Sequence, residues 1–156
     1  MTMDNNNIFL AVKAAIVGIF GAFGAAFGWL GWLVLAWIGC MVVDYISGSS
    51  AAMKAGQWSS AKARGGIWHK AGMIVVVIVA AVADKVLAIV LANIPGLPID
   101  YTVLLLPMVL VWYILTELGS ILENAAAMGS DVPPFLIRIL ASAKEKVEAA
   151  TGEDTE

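Results

Sequence analysis

The chain has little of what most functional classes require. One cysteine, Cys40, excludes an intramolecular disulfide, and with no second thiol and one histidine it excludes a zinc-type ligand set. That histidine, His69, stands beside Lys70 in a basic stretch and reads as an interfacial polar residue. Charged residues are only 13% of 156, with a formal net charge of −3, so no basic patch is available for nucleic acid. No Ser/His/Asp arrangement, phosphate loop or metal-spaced Cys/His set occurs. The chain is therefore expected not to be an enzyme and to hold neither a metal nor a cofactor. The start, "MTMDNNN", has Asp4 and no Lys or Arg before Lys13, which is not the charge pattern of a cleaved signal peptide. It reads as the lead into an uncleaved first membrane segment.

What is present is apolar surface: 61% hydrophobic residues and a mean hydropathy of +0.89. A soluble domain of this length has no use for so much. The fold class expected is all-α, an integral membrane helical bundle with about four transmembrane helices and a C-terminal surface amphipathic helix.

Counting spans starts from the roughly 20 residues needed to cross a core of about 30 Å. The apolar run 8–45 would be about 57 Å long as one helix, so it must turn. "GWLGW", Gly28 to Trp32, supplies glycines for a reversal and tryptophans for the headgroup boundary. Helices are expected at about 8–27, 30–47, 71–92 and 101–124, with a basic loop over 48–70, a Pro/Gly turn over 93–100 and a kink at Pro107. Residues 1–130 form the transmembrane part. Residues 131–156 form an amphipathic helix, apolar at Phe135, Leu136, Ile139, Leu140, Ala143 and Val147, with an acidic tail. Too polar to span, that helix should rest on the membrane surface or on the protein.

Lys54, Lys62, Arg64 and Lys70 cluster in the basic segment and the 93–100 turn carries no Lys or Arg, so the positive-inside rule places the basic segment and both termini in the cytoplasm. The rival is three spans with 8–27 on the surface.

Ionisable groups inside spans are costly and informative. Lys13, Asp44 and Glu117 fall at one depth, roughly 7–9 Å from the midplane, and should form a polar layer completed by Arg64 or Lys70. Asp84 and Lys85 need partners from other helices or subunits, because adjacent helix residues do not face each other. Tyr113, Glu117, Ser120 and Asn124 make one helical stripe, with Glu123 beside it. That stripe is either paired internally or lines water once subunits assemble. Ala14, Gly18, Ala22 and Ala26 recur every four residues, and Gly24 and Gly28 add a GxxxG. Such stripes serve close packing, within the chain or between copies.

The segments "VVDYISGSSAAMKAGQWSSAKARGGIWHKAGMIVVV", "ADKVL" and "TELGSILENAAAMGSDVPPFLIRIL" resemble the phage-lysis and toxin-secretion holins, the group that includes the clostridial toxin-release holin. Asp44, Tyr45, Gly48, Gly56, Ser60, Gly66, Lys70 and Asp84 match the earlier signature. Glu117, Ser120, Glu123, Asn124, Gly129, Pro133, Phe135 and Leu136 match the more specific ending. The resemblance implies a homo-oligomeric inner-membrane protein that opens a lesion for an endolysin or a secreted toxin. Glu117, Ser120, Glu123 and Asn124 would line or gate that lesion. The alternatives are a small ion channel or transporter, with Asp84 and Glu117 as an ion path, and a membrane scaffold that recruits a partner through the tail.

Overall fold

The computed structural model describes residues 5–95 and 101–151, and all the regular structure there is helical: α1 (Asn5–Lys54), α2 (Ser60–Ala92), α3 (Leu105–Ala127) and α4 (Pro134–Thr151). Among the described residues, four stretches are long and apolar enough to cross a bilayer: Ile8–Ala25, Gly28–Lys54, Ser60–Ala92 and Leu105–Ala127. The protein is an all-helical, multi-pass membrane protein. Residues to Leu35 and residues from Ala36 form two compact units.

In the first unit α1 is broken at Gly28, where φ 59 and ψ −151 lie outside helical space and suit only a residue without Cβ. The break is sharp. Phe20 and Trp32 would stand about 18 Å apart along a straight helix, yet their rings stack with centroids 6.0 Å apart. A Cβ on Gly24 would come within 3.1 Å of Trp32 Nε1, so the GxxxG here seats an indole against the helix. The expected break thus falls at Gly28. Ala14, Gly18 and Ala22 are exposed; Ala26 lies outside the side chains described.

The second unit packs three helices on faces spaced alternately three and four residues, the spacing of near-aligned helix pairs. They are Trp37, Met41, Asp44, Gly48 and Ala51 on α1; Lys70, Met73, Val77, Ala80 and Asp84 on α2; and Leu110, Tyr113, Glu117, Ser120 and Asn124 on α3. Trp37 stacks on Tyr113 at 6.1 Å. Most other large apolar side chains point outward, among them Ile74, Val75, Ile78, Val79 and Val82. Such a surface is a liability in water and the required one in lipid.

Helix ends differ from those expected. Residues 48–54 continue α1 and residues 60–70 begin α2, so the expected basic loop shrinks to the link 55–59. Local bonds decide this. Ser59 caps α2 by accepting from the Lys62 N–H at 3.2 Å. α1 closes at Gly56, with Gly56 N–H on Met53 O and Gln57 N–H on Ala52 O. Ala51, Ala52, Met53 and Lys54, and Ala61, Lys62, Ala63 and Arg64, are good helix formers that carry both helices past the apolar runs. Pro107 makes no kink, because α3 begins at Leu105 and a proline in a first turn lacks only an N–H that would have no helical partner. α3 ends in a Schellman motif, Ser130 N–H to Ala125 O and Gly129 N–H to Ala126 O. Lys54 Nζ donates to Met128 O at that same end.

The amphipathic helix α4 lies on the protein, running back along α3. Ile137 and Leu140 share a groove with Glu123 and Ala126, and Val147 and Glu148 share one with Leu105 and Met108. The tail beyond Thr151 and residues 96–100 of the expected turn lie outside the described residues.

Candidate functional site: a polar network inside the helical bundle

The 3-4 spacing of the packed faces puts polar groups from three helices at one level. Lys70 of α2 donates to Asp44 Oδ2 at 2.9 Å and to Glu117 Oε1 and Oε2 at 2.8 and 2.6 Å. Its ammonium has three N–H bonds, and the two carboxylates take up its donor capacity. Asn124 donates to Asp44 Oδ1 at 3.0 Å and to Ser47 Oγ at 3.1 Å, while Ser47 donates to the Asp44 carbonyl at 3.1 Å. Gly48 makes room for this: a Cβ there would come within 3.3 Å of Asn124 Nδ2. Side-chain exposures of 15% for Lys70, 18% for Asp44 and 5% for Glu117 mark a largely desolvated ion triad. Two carboxylates on one ammonium leave a formal −1, held by charge-assisted bonds that are stronger than neutral ones.

A cavity of about 170 Å³ between the end of α1 and the start of α2 has Asp44, Lys70, Ser59 and Lys62 in its wall. It borders the triad on the side of the short 55–59 link.

The second buried carboxylate does different work. Asp84 of α2, only 3% exposed, points at the start of α3. Its Oδ1 accepts from the Leu104 and Leu105 N–H groups at 3.2 and 2.9 Å and from the Tyr101 hydroxyl; its Oδ2 accepts from the Leu106 N–H at 2.7 Å. Leu104, the N-cap, makes no cap bond with its own side chain. The neighbouring helix therefore supplies the cap. Three free N–H groups bind Asp84 and the next residue, Pro107, has none, so the start of α3 is fully accounted for. The positive end of the helix dipole meets the carboxylate charge. Tyr101, outside the spans, has its hydroxyl held above the ordinary tyrosine range by this bond to Asp84.

Of the groups expected at one depth, Asp44 and Glu117 meet, and Lys70 rather than Arg64 completes the layer. Arg64 is exposed. Lys13 belongs to the first unit, is exposed and makes no ion pair among the described residues. Lys85 is likewise exposed. Glu117 and Asn124 of the stripe pair internally. Glu123 is exposed instead, in a groove with Thr116, Ser120 and Lys144. Reading by spacing overlooked Ser47, Tyr101, Lys54, Trp112 and Glu148. Ser47 carried a signal, three residues past Asp44 on the same helix face; the others depend on pairings that no local spacing encodes. Among the described residues no three His, Cys, Asp or Glu side chains are grouped to hold a metal.

A multi-pass helical membrane protein with an ion triad shared by three of its helices is the class defined by this fold and site. The bacteriophage holin family model matches residues 21–145, and the chain belongs to that family. No curated protein and no solved structure matches it.

Proposed function

We propose that the protein is a holin that accumulates in a bacterial inner membrane, self-associates and permeabilises it, so that an endolysin or toxin leaves and lysis follows. The family match over residues 21–145 carries this reading. Topology follows from charge and length. α2 is about 50 Å long, some 20 Å more than the hydrocarbon core, so its basic leading turns with Lys62 and Arg64 extend beyond the lipid on the cytoplasmic side. The N-terminus and the α3–α4 turn share that side. The exposed Ala14, Gly18 and Ala22 stripe supplies the contact between copies. Glu117 and Asn124 hold the subunit together in this reading, and Glu123 is the charged member of the stripe left to the lesion.

The test is inducible expression in a bacterium, following membrane potential and escape of a cytoplasmic reporter with and without an endolysin. Abrupt depolarisation with endolysin-dependent lysis supports a holin. Selective conductance without macromolecular release supports a small channel instead, and an intact potential despite insertion supports a scaffold. Glu123→Gln should insert normally and shift the lysis time; unchanged timing would remove Glu123 from the lesion.

A further inference from the structure

α4 has an unusual position for a helix so polar. Its 18 residues make about 27 Å, and it runs antiparallel to α3 from the level of Glu123 and Ala126 to the level of Leu105 and Met108. It therefore accompanies a membrane-spanning helix over nearly its whole length. The contact is specific. Trp112 Nε1 donates to Glu148 Oε1 at 2.9 Å, and Lys144 Nζ sits 4.5 Å from the centre of the same indole. Trp112 lies four residues from the middle of α3, about 6 Å along its axis. Lipid at that depth has no acceptor for an indole N–H and no tolerance for an uncompensated ammonium or carboxylate. The polar atoms of α4 thus answer a need of α3 deep in its span.

The opposite face of α4 carries a polar stripe, with Phe135 and Ile139 exposed within and beside it in the first turns. Arg138, Ser142, Glu145, Lys146 and Ala149 follow at spacings of four, three, one and three, which is one helical stripe, and all five are exposed. Resting on the membrane surface would require the other arrangement, with Lys144 and Glu148 turned to water rather than to Trp112. A helix held beside α3 with charges on its outer face needs water on that face.

We propose that α4 lines the water-filled lumen enclosed by the assembled subunits, with Arg138, Ser142, Glu145, Lys146 and Ala149 toward the water and α3 behind them. The inference rests on the holin reading and names the element that faces the permeation path. It moves the lining away from Glu117 and Asn124, which are committed inside the subunit. It also carries the end of α4 to the far side of the membrane from the α3–α4 turn, in place of the cytoplasmic C-terminus expected from charge alone.

The test uses the full-length purified chain in vesicles of phosphatidylethanolamine and phosphatidylglycerol for dye release, and in planar bilayers of the same lipids for reversal potential under a salt gradient. The stripe carries two cations, Arg138 and Lys146, and one carboxylate, Glu145. Lys146→Glu inverts that balance and should move the reversal potential toward cation selectivity. In a Cys40→Ser background, a cationic thiol reagent should lower conductance through Ser142→Cys and leave Leu140→Cys unaffected, because Leu140 faces α3. A conducting Lys146→Glu variant with the wild-type reversal potential, or equal responses at 142 and 140, overturns the assignment and leaves the holin reading standing. Dye retention by the wild-type chain overturns both.

Discussion

Replacing Asp84 by Asn changes almost nothing in volume and isolates what the carboxylate does for α3. The wild-type side chain accepts four hydrogen bonds, three on Oδ1 and one on Oδ2. An amide has one oxygen. With that oxygen on the Tyr101–Leu104–Leu105 side, the new NH₂ meets the Leu106 N–H, donor against donor, where 2.7 Å now separates donor and acceptor. The flipped amide strands three donors instead. The better choice leaves one buried N–H unpaired, about 1–3 kcal/mol, and loses the charge at a buried helix N-terminus, up to about 2 kcal/mol. The expected loss is about 2–4 kcal/mol, concentrated at the α2–α3 pairing. Denaturation from a mild detergent into increasing dodecyl sulfate, followed by tryptophan fluorescence, measures it. A change below about 0.5 kcal/mol, the usual scatter for neutral surface substitutions, would refute the capping argument.

Other expectations follow from the same geometry. Lys70→Met strands two carboxylates and should cost about 3–5 kcal/mol, whereas the triple variant Asp44→Asn, Lys70→Met, Glu117→Gln should recover most of that loss in the same titration. Gly129→Ala should destabilise by about 1–2 kcal/mol, because φ is 93 and the new Cβ would meet Lys54 Nζ at 2.9 Å; a neutral result would mean the α3 terminus rearranges freely. The bond to Asp84 raises the Tyr101 hydroxyl above its ordinary value of 10.0. Its contribution is therefore complete below pH 10.0 and is lost as pH rises through the higher folded value. Wild type should lose stability more steeply than Tyr101→Phe above that pH, and parallel profiles would exclude the bond.

Much of the architecture was readable from residue order. The four apolar stretches emerge because a bilayer sets a minimum length for each crossing. The break at Gly28 emerges because no single helix of that length fits one bilayer, and the glycine with Trp29 and Trp32 marks where the chain can turn. Depth matching brought Asp44 and Glu117 together, since groups at one level on packed helices are neighbours. The helix ends over 48–54 and 60–70 were misread because hydropathy reports where lipid ends, not where backbone hydrogen bonding ends. Lys13 lies in the other compact unit, and depth matching by itself says nothing about which helices adjoin.

Composition and periodicity by themselves determined that this protein is helical, crosses a membrane and carries polar groups on one stripe of its last apolar helix, because burial in lipid forces internal hydrogen bonding and penalises every charge. Which partner each charge takes was decided by tertiary structure alone. Lys70 serves Asp44 and Glu117 because three faces of 3-4 spacing converge at one level. Asp84 caps a helix twenty residues away, and Trp112 draws Glu148 and Lys144 against α3. Side-chain pairings of this kind depend on the facing register of separate helices, and register is a property of the packed bundle rather than of any one segment.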